Sequence, residues 1–270
     1  MTTTRSRTVC RGDLAGHCGR LLEAQAPERA ARRTSTRVNA RDVLWSQDAT
    51  HLGRDERGGD VQAEVLREVA STRTIGLSVG PPATGEEVVA LLERAVRERG
   101  GAPLVLLTDN GGPYCSAPVA AWCVEHGVLH LFSLPHTPQH NAASEHGMRE
   151  HKEDAALGKG TLVLDIDAPL AALEASRDRI DGHRLRRTRG WKTAVEADRA
   201  HPHWSELTSR KRVLEEVACG LDEAAVYSEG SRAQRRAIRE AILGALERLG
   251  VITRTRGGRP WTAQSAERVS

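Results

Sequence analysis

The sequence predicts a mixed α/β domain, a five-stranded sheet flanked by helices, and three observations carry that prediction. Apolar residues alternate with polar ones through Val61-Ala63-Val65 and again through Ile75-Leu77-Val79, the period of paired antiparallel strands with one face buried. The period then changes to that of a helix, with Val88, Leu91, Leu92, Ala95 and Val96 on one side, Thr84 and Glu87 as a capping box, and Gly100-Gly101 as the stop. Beyond it, the apolar run Pro103 to Leu107 ends abruptly in Asp109-Asn110-Gly111-Gly112, as a buried strand does when it delivers an acid at its tip.

Composition sets the outer limits. A chain of 270 residues holds one core of ordinary size plus a small second module. The formal net charge of +3 does not by itself mark a nucleic-acid binder, but the arginines cluster at both ends and after Asp181. Aromatic residues make up 3%, so Leu, Val, Ile and Ala must build the core. Cys10, Cys18, Cys115, Cys123 and Cys219 form no regular framework, and no apolar run has the length of a bilayer span or a signal peptide. A reduced, cytoplasmic, nucleoid-associated protein with no membrane partner is expected. Cys10, His17 and Cys18 lack zinc spacing and a second ligand pair.

Residues 1–40 are rich in Arg, Thr, Ala and Gly, with one short helical candidate at Leu14 to Ala26. Arg29, Arg32, Arg33 and Arg37 there suit either DNA phosphates or a solvated linker. Residues 41–160 form the predicted core. Val43 to Leu52 is its first strand, and Asp48 is set inside that apolar stretch, unlike its competitors Asp42, Asp55 and Asp60. Arg54 to Asp60 is a hairpin loop, Ser116 to His126 a helix with Val119, Trp122 and Cys123 inward, and Val128 to Phe132 a strand. Pro138-Gln139-His140-Asn141 precedes a helix from Ala142 to Leu157, in which Asn141 is a capping residue and Glu145 lies in the first turn. Residues 161–204 are an accessory helical tail: Leu170 to Arg189 reads as helical, and Arg184, Arg186 and Arg187 as a phosphate-contacting surface. In residues 205–270, Ser231 caps a helix carrying Ile238, Ile242, Leu246 and Leu249, followed by a strand at Val251 to Arg254 and a glycine turn. That order suggests a small winged-helix DNA-binding module or a plain helical hairpin.

Asp109 and Glu145 lie 145 − 109 = 36 positions apart, yet a strand-tip acid and a first-turn helix acid can converge on one point. Two carboxylates forced together need a cation, and hard oxygen ligands favour magnesium or manganese. The motif Thr108-Asp109-Asn110-Gly111-x-x-Tyr114, then Ser133-x-Pro135-x-Thr137-Pro138-Gln139-x-Asn141-x-x-x-Glu145, resembles the integrase core of retroviral integrases and insertion-sequence transposases of the acidic-triad (DDE) type. Trp45-x-x-Asp48-x-Thr50 is similar to that family's first-acid motif.

The resemblance implies a ribonuclease-H-like fold and a catalytic, metal-binding triad of Asp48, Asp109 and Glu145. It implies two Mg2+ (or Mn2+) ions, one shared by Asp48 and Asp109, the other held by Asp48 and Glu145. Asn110, Gln139, Asn141 and Lys152 are implied to face DNA near the reacting phosphate. The implied function is a transposase or integrase that cleaves element ends and joins them to target DNA as a homo-oligomer. The alternative is a transposase-derived DNA-binding protein with weakened nuclease activity. Three departures from the pattern motivate it: Ala142 replaces the usual Gly, Glu64, Arg67 and Glu68 charge the second strand, and Thr193-Ala194-Val195-Glu196 lacks the tail motif's proline. His130, His136, His140, His146 and His151 have no regular ligand spacing and read as surface or DNA-facing groups.

Overall fold

Strand β2 (Leu44–Arg54) is the axis of the sheet, pairing antiparallel with β3 (Asp60–Glu68) on one side and parallel with β5 (Val105–Thr108) on the other. The computed structural model describes residues 34–133, 142–157, 161–221, 232–257 and 259–260, with the side chains of all but 142–146, 161, 232–233 and 259–260 of these. The expected N-terminal helix, the Cys10–His17–Cys18 group, Gln139 and Asn141 lie outside the described residues. The remaining strands are β4 (Thr74–Gly80), antiparallel to β3, and β6 (Leu129–Phe132), parallel to β5, giving the order β4-β3-β2-β5-β6. A two-residue strand β7 (Thr161–Leu162) adds to β2 beyond β5, at Gly53 and Arg54. The mixed five-stranded sheet expected from the sequence is therefore present, extended by this short sixth strand.

Helix α1 (Gly85–Arg99) starts where Thr84 Oγ1 accepts from Glu87 N at 3.3 Å and Glu87 Oε2 accepts from Thr84 N at 2.7 Å. It stops at Gly100, whose φ of 77° is costly for any residue with a Cβ. With α2 (Ala117–His126) it covers one face of the sheet, burying Trp45, Leu66, Leu92, Leu106, Val119 and Trp122. Because strand residues alternate, Val105 and Leu107 face the other way. On that side Leu52, Ala63, Val65 and Leu77 pack against α3 (Ala142–Asp154) through Met148 and against α4 (Asp167–His183) through Leu173. Helix α4 ends six residues before the expected limit at Arg189, and Arg187–Arg189 form a 3₁₀ turn instead. Helix α5 (Ala194–Ala200) keeps a capping box without the proline, because Thr193 Oγ1 and Glu196 supply both bonds.

The boundaries expected at 160/161 and 204/205 do not divide the packing. Helices α6 (Arg210–Gly220) and α7 (Arg232–Arg248) place Val213, Val217, Ile242 and Leu246 in one cluster with Val38, Val43, Leu104 and Val105. One compact unit runs from Val38 to Ile252. Strands β1 (Thr34–Val38), β8 (Ile252–Arg256) and β9 (Arg259–Pro260) form a separate three-stranded sheet in the order β1-β8-β9, chiefly in a second unit.

At the end of β3, Glu68 is fully buried and accepts from Ser71 N at 2.7 Å and Ala70 N at 3.0 Å. Burial pushes its carboxyl up from 4.5 to about 7, although the hydrogen bonds from Ser71 and Ala70 pull the other way. A raised folded pKa means that the folded state holds this proton more tightly than the unfolded chain does. The resulting stability is fully present below about 4.5 and is lost as pH rises through about 7. The total lost across that window is about 3 kcal/mol. Urea titrations at pH 5 and pH 8 are expected to show Glu68→Gln gaining stability relative to wild type at the higher pH; an equal effect at both would remove this assignment.

Candidate active site

Asp109 follows the last residue of β5, and its exposed carboxylate is fixed locally: Oδ1 accepts from Gly111 N at 2.8 Å. The parallel ladder pairs Leu44 with Val105, Trp45 with Leu106 and Ser46 with Leu107, an offset of 107 − 46 = 61. The same offset relates Asp48 to Asp109 (109 − 48 = 61), two residues beyond the last pair of the ladder and one beyond the end of β5. Neighbouring strands lie about 4.8 Å apart. Both positions share the parity of Ser46 and Leu107 and so the same side of the sheet.

That side is covered by α3. Asp48 pairs across the sheet with Val65, and Val65 packs with Met148 of α3. Glu145 stands three residues before Met148, in the first turn of the helix, on backbone that the same packing places over β2 and β3. Lys152 pins the helix to the strand carrying Asp48, donating to Thr50 Oγ1 at 3.1 Å and to His51 O at 3.2 Å. Asn110 bridges the tips of β5 and β6, its Nδ2 donating to Ser133 O at 2.9 Å.

A carboxylate network that the motif did not disclose backs the site. Glu64, on β3, is buried; its Oε2 accepts from Tyr114 Oη at 2.7 Å and from Gln47 Nε2 at 3.1 Å. Burial raises its pKa, and the charge of Asp109 raises it further against the hydrogen bonds from Tyr114 and Gln47. Burial, then Glu64, then Asp48 and Asp109 hold the Tyr114 hydroxyl protonated well above its ordinary range. The available signals were Tyr114 inside its motif and a Glu in an otherwise alternating strand. Three carboxylates thus act on the one phenol, Glu64 by a direct hydrogen bond and Asp48 and Asp109 through their charge. Among the described residues no three of His, Cys, Asp and Glu form a metal cluster, and the side chain of Glu145 is not among them.

A second set of charges lies behind α3. Arg67 is 6% exposed, and a Cβ added at Gly147 would meet its Nη1 at 1.1 Å, so its guanidinium occupies the space left by the glycine. It donates through Nη2 to Thr72 O at 2.5 Å, with Asp181 and Glu150 opposing the effect of burial on its charge. Arg184 pairs with Glu150 at 2.7 Å, and Arg186 also pairs with Glu150, while Arg187 is exposed. Two of the three arginines expected on a phosphate-contacting surface are thus bound to α3.

The histidines separate. His151 is not a surface group: it is 1% exposed, within 3.0 Å of Thr74 Oγ1 and 3.3 Å of Ser176 Oγ, and burial lowers its pKa to about 4. Thr74 and Ser176 reach it from β4 and α4, elements distant in sequence. His130 lies 2.9 Å from Thr108 Oγ1 and is likewise lowered to about 4 by burial. Among the described residues no helix is long and apolar enough to cross a membrane.

Residues 38–138 match the Integrase core domain family. The chain is 29% identical over 219 residues to the Intracisternal A-particle Pol-related polyprotein of mouse intracisternal A-particle MIA14, covering 72% of this chain and 22% of that protein. It is 28% identical over 113 residues to the Retrovirus-related Pol polyprotein from transposon TNT 1-94 of Nicotiana tabacum, covering 40% of this chain and 8% of that one. The chain thus spans about a fifth or less of the length of these curated relatives. A chain of the simian T-cell lymphotropic virus intasome, solved in complex with the PP2A regulatory subunit B56 gamma, superposes with a TM-score of 0.51 at 19% identity, over 61% of this chain and 56% of that chain. The fold is the ribonuclease-H-like one.

Proposed function

Because residues 38–138 match the Integrase core domain family, we propose that this chain is a metal-dependent polynucleotidyl transferase that cleaves DNA ends and joins them to target DNA. The observation that supports this reading most is the parallel register of β2 and β5, which ends at Ser46–Leu107 two residues before Asp48 and Asp109, with Glu145 in the first turn of α3. Asp48, Asp109 and Glu145 would hold magnesium or manganese, in the two-ion arrangement known for phosphodiester chemistry. When bound, the metal supplies an acidified water or hydroxyl and charge compensation at the leaving oxygen.

The chain's own groups set the geometry. Gly111 N fixes the rotamer of Asp109, Asn110 locks the two strand tips together, and Lys152 holds α3 against β2. Tyr114 stays protonated and donates to Glu64, so it anchors the Asp109 loop instead of acting as a base. The partners are DNA ends, target DNA and further copies of the chain, in the cytoplasm.

The test is incubation of the full chain with end-labelled duplex DNA in magnesium, in manganese and in excess chelator. Cleaved and joined products with either metal, and none with chelator, are expected. DNA binding without metal-dependent products would instead support a transposase-derived binding protein.

A further inference from the structure

We infer that the first two turns of α7 form an arginine ridge that seats the phosphate backbone of DNA beside the strand tips. The inference rests on the DNA-processing reading above and extends it to a helix outside the matched core domain. Residues 232–239 contain Arg232, Arg235, Arg236 and Arg239 and no acid; Glu240 follows. Spacings of three, four and seven put these four positions on one stripe of the helix, bordering the apolar stripe of Ile238, Ile242 and Leu246. Burial of that apolar stripe fixes how the helix is rotated, and therefore where the arginines run.

Two of them, Arg235 and Arg239, meet the carboxyl ends of parallel strands β5 and β6. Arg235 Nη1 donates to Asn110 Oδ1 at 3.2 Å, and Arg239 Nη1 to Phe132 O at 3.4 Å. Asn110 is the neighbour of Asp109 and joins the two tips through Ser133. Arg235 and Arg236 are exposed. A guanidinium has five N–H donors in a planar fork, so the bond to Asn110 leaves Arg235 capable of a two-pronged contact with a phosphate. An intramolecular role alone accounts for Arg235 at Asn110, but it gives no reason for Arg236 beside it on the same stripe. Asp109 is the sequence neighbour of Asn110, the partner of Arg235, so the ridge meets the strand tip that carries an acid, as a site does that must hold a polyanion and a metal together.

The experiment measures binding of a fluorescent duplex oligonucleotide of arbitrary sequence to the full chain across a salt series, with chelator present. Arg235→Ala and Arg236→Ala are compared with Arg212→Ala, which removes an equal charge from the exposed side of α6. Each ridge variant is expected to flatten the salt slope by about 0.9 and to weaken binding about five- to tenfold at 0.1 M salt. The Arg212 variant should match wild type. Arg235→Lys should restore the slope, since charge is retained, which a purely structural partner of Asn110 would not do. Slopes for both ridge variants equal to that of Arg212→Ala would overturn the inference, as would failure of the wild type to bind duplex. Binding is read without metal, so ridge variants with an unchanged slope in a chain that still cleaves DNA would sink the ridge and leave the catalytic reading intact.

Discussion

Asp109→Asn is expected to reduce metal-dependent strand transfer by about 10²- to 10³-fold, the size of effect seen when one electrostatic contact to a developing charge is removed. Asparagine keeps an oxygen that can accept from Gly111 N, so the strand tip should hold its shape while losing the negative charge. Asp48→Asn and Glu145→Gln should fall similarly. Double replacements should not multiply the loss, because residues that hold one metal assembly act as a unit. DNA affinity should stay level or rise, since phosphate attraction comes from Arg and Lys and the acids oppose it. The check is a paired assay of strand transfer and of duplex binding by anisotropy. Wild-type transfer by the Asn variant would remove Asp109 from the ligand set.

The largest loss of stability is expected at Arg67→Met, about 3–5 kcal/mol, because removing a buried guanidinium takes from buried Asp181 the positive charge that acts on it most. Asp181 is 3% exposed, is already pushed up by burial, and accepts from Thr74 N at 2.7 Å, so it has no route to water when the guanidinium goes. Gly147→Ala attacks the same contact from the helix side and should cost about 1–3 kcal/mol through overcrowding. Combined with Arg67→Met the alanine should cost nothing, or gain the ordinary ~1 kcal/mol of Gly→Ala in a helix, since the group it strikes is absent. Urea denaturation of the four proteins completes the cycle. An Arg67→Met midpoint near that of wild type would mean that the guanidinium is not paired in the folded chain.

How far the sequence could be read followed the range of the interaction. The Thr84–Glu87 box, the left-handed Gly100 and the acid at the end of a buried strand are written within a few residues, and each stands where expected. The places of Asp48 inside β2 and of Asp109 just after β5 are legible for a similar reason, since each is flanked by strand signals and motif residues. Arg67, Glu68 and His151 were not. A charge in a strand suggests an exposed edge until its partners are known, and those of His151 come from Thr74 and Ser176, 77 and 25 positions away. Residues 205–270 read as a separate module because the apolar stripe of Ile238, Ile242, Leu246 and Leu249 names no partner, and the helix at Arg210–Gly220 is not signalled at all. The surface these helices cover includes Val43, Leu104 and Val105, at the starts of β2 and β5, and Val38, at the end of a strand the sequence did not signal.

That shared cluster has a consequence for the order in which the chain matures. Val105 and Leu107 are made well before Ile242, Leu246 and Ile252, which cover the same face and follow by at least 242 − 107 = 135 residues. At cellular synthesis rates roughly ten seconds separate the two groups. During that interval the nascent sheet presents an uncovered apolar face, together with β6 as its outer strand. Long-range closure of this kind folds slowly and is open to mispairing. Ribosome-bound chains halted near residue 205 should therefore engage chaperones and resist refolding, while release of the full chain should bury the face in one late step.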